Sequence, residues 1–107
     1  MREDRGAGLI TFHLTGALRP WSGGASEVSL DVSPADVRGA LVALFTLHPG
    51  LRDRITNETG EVRVHVNVFV DGEAIKFTGG LSTPLRERAE LHVIPAISGG
   101  AELERGN

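Results

Sequence analysis

The stretch Val62-Arg63-Val64-His65-Val66-Asn67-Val68-Phe69-Val70-Asp71-Gly72-Glu73-Ala74-Ile75-Lys76-Phe77 decides how this chain is read. Valine takes every second position from 62 to 70, with Arg63, His65, Asn67 and Phe69 between. Side chains alternate across a strand, so the five valines share one face, and five β-branched residues mark that face as the core side. Asp71-Gly72 reads as a tight hairpin turn, because both central positions of such a turn need a positive φ that Asp tolerates and Gly adopts freely. A short return strand over residues 73–77 follows, and Thr78-Gly79-Gly80 breaks it.

Before this hairpin lies one helix. Ser33-Pro34-Ala35-Asp36 reads as its start, with Ser33 placed to cap, Pro34 at the first helical position and Asp36 near the positive end of the dipole. Val37, Ala40, Leu41, Leu44 and Phe45 then recur at helical spacing and form one apolar face, which His48-Pro49-Gly50 ends. Residues 51–60 form a polar connection with a short helical turn over 51–55. Further upstream, Ile10, Phe12 and Leu14 alternate with Thr11 and His13 in a strand over residues 9–14, and Val28, Leu30 and Val32 alternate with Ser29 and Asp31 in a second over 28–32. The Gly-, Pro- and Ser-rich stretch 15–26 between them is expected to be a long, mobile connection. Its Arg19, Pro20 and Trp21 are candidates for a contact patch, with a loop-anchoring core residue as the plainer reading of Trp21.

Downstream, a loop over residues 81–89 leads to a last strand over 90–94, with Leu91 and Val93 on one face and His92 and Ile94 on the other. Pro95 closes it. The order is strand, strand, helix, strand, strand, strand, with one main helix to cover one face of one mixed sheet. That is an α+β roll of the β-grasp kind. The chain divides into a leader at 1–8, a domain at 9–100 and an extension at 101–107.

With 107 residues there is room for a single core, so any function must sit on one surface or at one end. A net charge of −3 and a pI of about 5.7 argue against nucleic acid or an anionic membrane as the main partner. No apolar run approaches a membrane span and the start lacks the apolar core of a signal peptide, so the expected location is the cytoplasm. The absence of cysteine excludes disulfides, thiolate metal sites and a thiol nucleophile. No nucleophile lies in a common motif with a histidine, and Asp53, Glu58 and Glu61 read as solvated loop charges, which argues against an enzyme and implies no cofactor. His13, His65 and His92 share the face opposite the valines; a three-histidine metal site is conceivable there, and exposed histidines at different heights are the preferred reading. Phe69 and Ile94 lie on the same outer face, beside Pro95, and read as a partner-docking patch, with simple surface scatter as the equal alternative. Lys76 is the sole lysine, and its place on a surface strand requires no special role.

Two passages carry a resemblance. Asn67-Val68-Phe69-Val70-Asp71-Gly72-Glu73-Ala74-Ile75-Lys76-Phe77-Thr78-Gly79-Gly80-Leu81-Ser82-Thr83-Pro84-Leu85 and Val93-Ile94-Pro95-Ala96-Ile97-Ser98-Gly99-Gly100 together resemble the MoaD/ThiS family of prokaryotic ubiquitin-like sulfur carriers, most of all the cysteine-biosynthesis carriers of actinobacteria. The likeness is dense over residues 64–100 and compatible in order and spacing over 9–47. A lone Gly-Gly is weak, as Gly79-Gly80 shows; one that follows a last strand and an Ile-Pro-Ala tail is more specific.

The resemblance implies that an adenylating enzyme activates a carboxylate on Gly100 and that a sulfur donor converts it to a thiocarboxylate. Ile97, Ser98 and Gly99 would form the tail that reaches the cleft, and a sulfur-accepting biosynthetic enzyme would take the product. One departure matters: Ala101-Glu102-Leu103-Glu104-Arg105-Gly106-Asn107 follows Gly100, and an internal peptide carbonyl cannot be adenylated. The favoured reading is a precursor trimmed after Gly100, as zinc metalloproteases do for some relatives; an inactive or differently used copy is the other. A protein modifier conjugated through Gly100 and a plain interaction module are the rival functions.

Overall fold

A computed structural model describes residues 9–95, and within them the chain forms β1 (Leu9–Leu14), β2 (Glu27–Asp31), helix α1 (Val37–Leu47), a short α2 (Arg52–Ile55), β3 (Val66–Val70), β4 (Glu73–Ala74) and β5 (Glu90–Pro95). The strands make one mixed sheet in the order β2-β1-β5-β3-β4. β5 runs parallel to β1 and antiparallel to β3, and the remaining pairs are antiparallel. This is the β-grasp roll implied by the order of elements.

The core lies on one side of the sheet. Ile10, Phe12 and Leu14 of β1, Leu91 and Val93 of β5 and Val66, Val68 and Val70 of β3 are buried with Val37, Ala40, Leu41 and Leu44 of α1 in a single cluster. Each large aliphatic or aromatic side chain so buried stabilises the fold by about 1.5–3 kcal/mol relative to exposure. The expected hairpin turn is present: Asp71 has φ 49° and Gly72 φ 93°, the left-handed pair that joins β3 to β4. Asp71 also ties this turn to β5, accepting from Glu90 N at 3.1 Å and from Arg86 Nε at 3.0 Å.

The valine run does not form one strand. Val66, Val68 and Val70 are buried in β3, but Val62 is half-buried outside the sheet and Val64 is 100% exposed. Local hydrogen bonds explain the break. Val62 bridges Thr56, Arg63 N donates to Ile55 O at 3.0 Å, and Arg63 Nε donates to Asp53 O at 2.8 Å. The Asn57 side chain accepts from Thr59 N and Glu61 N, closing a small loop that holds residues 62–63 against the end of α2. The step from Arg63 to Val66 is then a turn, with Val66 N donating to Arg63 O.

Other boundaries shift as well. The cap of α1 is Asp36, not Ser33: its carboxylate accepts from Gly39 N at 3.0 Å, and Pro34 lies outside the helix. Asp36 is held extended, because it bridges Pro84, Val37 N donates to Thr83 O and Leu85 N donates to Ala35 O. β4 stops at Ala74, since Ile75 turns into the core and starts a 3-10 turn that leaves Phe77 82% exposed. β2 lies one residue earlier than expected, which leaves Val32 outside it and 37% exposed. The connection 51–60 is less polar in role than its composition suggests, with Leu51 and Ile55 fully buried. The stretch after β1 is built rather than loose. A 3-10 helix over Gly16–Trp21 buries Leu18, and buried Ser22 donates to Ala25 O at 2.6 Å.

These assignments make two stability predictions for equilibrium urea unfolding. Leu44→Ala should lose about 2–5 kcal/mol, while Val64→Ala should stay within about 0.5 kcal/mol of the parent. Asp36→Ala should lose about 1 kcal/mol and Ser33→Ala almost nothing; the reverse ranking would return the cap to Ser33.

Candidate docking face and carrier terminus

The face of the sheet turned away from α1 is set by strand parity. Register aligns Glu27 of β2 with His13 of β1, His13 with His92 of β5, His92 with Phe69 of β3 and Phe69 with Ala74 of β4, so one row crosses all five strands. Ile94 sits on the same face one step along β5, opposite Asn67. Phe69 and Ile94 are therefore diagonal neighbours, a spacing of about 7–8 Å between backbones that long side chains span. Ile94 is 39% exposed, while Phe69 and Pro95 are half-buried. Pro95 ends β5 opposite Val66.

Histidines sit at the centre of this row. The rings of His13 and His92 stack with centroids 4.3 Å apart and planes 12° from parallel, and His13 Nε2 lies 2.8 Å from Glu90 Oε1. The expectation of exposed histidines at different heights therefore fails for this pair, which the parallel β1–β5 register sets level. It holds for His65, which lies exposed in the turn before β3. Among the described residues no group of three or more His, Cys, Asp or Glu is arranged to hold a metal ion. The paired histidines were absent from the sequence reading as a unit; equal parity on two strands was the available signal, and it carries no register.

The plainer readings of several other residues hold. Trp21 anchors its loop but is not a core residue: 37% exposed, it packs over Gly50, where an added Cβ would lie 2.9 Å from Trp21 Cδ1, and Arg54 stacks on its ring at 4.1 Å. Arg19 and Pro20 are exposed beside it. Gly79 and Gly80 are turn residues with φ 120° and 61°. Asp53, Glu58 and Glu61 are exposed, and Lys76 is an exposed cation 5.5 Å from the Phe77 ring. No helix among the described residues is long and apolar enough to cross a membrane. The proposed carrier residue Gly100 and its tail, Ile97, Ser98 and Gly99, fall outside the described residues, as do residues 1–8 and 101–107.

The chain is 30% identical over 94 residues to the sulfur carrier protein CysO of Mycobacterium tuberculosis, covering 85% of this chain and 98% of that protein. Its fold matches the crystal structure of SAMP1 from Haloferax volcanii with a TM-score of 0.75 at 34% identity, covering 87% of this chain and all of that one. It matches equally a chain of the Amycolatopsis orientalis BexX/CysO complex, with a TM-score of 0.75 at 27% identity over 85% of this chain and 99% of the other. The ThiS family model matches residues 12–100, a span that closes on the Gly99-Gly100 pair. This chain belongs to the ThiS family, whose sulfur-carrier and modifier members are small carried proteins and not catalysts.

Proposed function

We propose that this chain carries sulfur as a thiocarboxylate on Gly100. The observation that carries the reading is the family match, which runs through Gly100 and includes none of residues 101–107. A free Gly100 carboxylate would attack the α-phosphate of ATP and expel pyrophosphate, forming an acyl adenylate. A sulfur nucleophile supplied by a donor would then add to the carbonyl and expel AMP, leaving the thiocarboxylate. In a chain with no cysteine, that terminal group stands where other carriers use a thiol.

The chain's geometry suits this work. β5 is a central strand that ends at Pro95, five positions before Gly100. At about 3.3–3.6 Å per extended residue, those five can span roughly 17 Å. That is enough to reach an enzyme's ATP cleft while the folded body stays outside it. Glycine at the last two positions leaves no Cβ beside the carbonyl under attack.

In this reading Phe69 and Ile94 form the docking patch on the outer face, completed by Pro95 next to Ile94 at the end of β5. The partners are an adenylating enzyme and a sulfur-accepting biosynthetic enzyme, with a zinc metalloprotease to remove residues 101–107; complex formation by a CysO relative supports the existence of such partners. The cytoplasm is the compartment in which they would meet. The 37% identity over 78 residues to small archaeal modifier protein 1 of Haloferax volcanii favours one second reading, in which a lysine amine replaces the sulfur nucleophile and Gly100 ends in an isopeptide bond.

A chain ending at Gly100, incubated with its cognate adenylating enzyme, ATP and a sulfide source, should gain the mass of one oxygen-to-sulfur exchange; the full-length chain should not. Failure of the shortened chain to form any adenylate would leave an interaction module, and its appearance on target lysines without thiocarboxylate would favour the modifier. Titration calorimetry should show Phe69→Ala and Ile94→Ala each weakening binding to the adenylating enzyme by about 1–2 kcal/mol. A melting temperature that collapses while affinity holds would mark Phe69 as a packing residue instead.

A further inference from the structure

A second binding surface lies on the opposite side of β3 from β5. β4 pairs only with Phe69 and Val70, so residues 66–68 have β5 on one side and, among the described residues, no strand on the other. An open groove of about 490 Å³ runs along this edge. Its apolar lining comes from Val66, Val68, Ile75, Leu81 and the fully exposed Val64. Water around a bare valine beside an unpaired strand edge is unfavourable, and natural proteins usually blunt such edges.

The rim is cationic. Arg38 of α1, Arg63 and Lys76 line the groove against a single carboxylate, Glu61, in a chain whose net charge is −3. Arg63 is held by its bond to Asp53 O. Among the described residues neither Arg38 nor Lys76 takes part in an ion pair. Neither Phe69 nor Ile94 lines the groove, so an occupant here leaves the docking patch free.

We infer that this groove binds an extended acidic segment of a partner protein, with alternating carboxylate and aliphatic residues, as an added strand on the β3 edge. Main-chain hydrogen bonds to the edge-facing groups of Val66 and Val68, Val66 N–H excepted because it donates to Arg63 O, supply register, as in other strand-addition complexes. Alternation then sends aliphatic side chains toward Val64 and Ile75 and carboxylates toward Arg38 and Lys76. The local excess of positive charge selects against basic segments and speeds encounter with acidic ones.

The test titrates the full-length, isotope-labelled chain with an acetylated, amidated hexapeptide of alternating glutamate and valine, followed by amide NMR shifts. Saturable shifts are expected at residues 64, 66, 68 and 75, weakening about tenfold or more in Arg38→Gln/Lys76→Gln and at about 0.5 M salt. The matching lysine–valine peptide should bind at least about tenfold more weakly. Both substituted residues are exposed, and an unchanged spectrum elsewhere verifies the variant's fold; Arg38→Glu/Lys76→Glu should abolish the shifts. The inference is overturned by no saturation at millimolar peptide, by shifts confined to Phe69, His92 and Ile94, or by equal binding of the lysine peptide. It is also overturned if the same amides already differ between the full chain and one ending at Gly100, which would show the groove filled by the chain's own tail.

Discussion

The parallel pairing of β1 with β5 is the constraint on which the rest of this molecule depends. It joins the first described strand to the last and places β5 between β1 and β3, so Leu91 and Val93 are fully buried between flanking strands and α1. Parallel strands need a long crossover connection, and here everything from β2 through β4 supplies it. The closure is costly in chain entropy, since residues 11–14 pair with residues 90–93, far apart in the sequence. Once made, it fixes β5 inside the sheet, with Pro95 as its last residue.

That arrangement separates stability from function by side of the sheet. The inner face holds the aliphatic core against α1, while the outer face carries Phe69 and Ile94 around the His13–His92 stack. A carried protein benefits from this division. Under the proposed function, an enzyme acting on Gly100 would grip the outer face, where β5 places Ile94, and β5 ends at Pro95. Among the described residues the β3 edge beyond β4 is a third surface, left open because β4 is only two residues long.

Much of the architecture was legible in the chain. Alternation at positions 66–70, 9–14 and 90–94 assigned faces correctly, because the strand period is a local property of the backbone. The apolar spacing of Val37, Ala40, Leu41 and Leu44 found the buried helix face for the same reason. Asp71-Gly72 announced its turn through its own φ preferences, and the glycine pair after an Ile-Pro-Ala tail identified the terminus on which the proposed chemistry rests.

Other features were decided only in three dimensions. Ser33 and Asp36 are both competent caps, and pairing of residues 35–37 with the 83–85 loop chose Asp36. Val62 and Val64 carry the same local signal as Val66, yet bonds from Ile55, Thr56 and Asp53 drew the chain aside and left Val64 in water. Parity put His13 and His92 on one face, but their stacking is a matter of register, which hydrogen-bonded partners distant in sequence set. By itself the sequence determined which residues are apolar, where the backbone can turn and where a glycine pair follows the last strand. Tertiary structure decided which competing local bonds win and which side chains stand level, because those outcomes depend on neighbours that the folded sheet alone brings together.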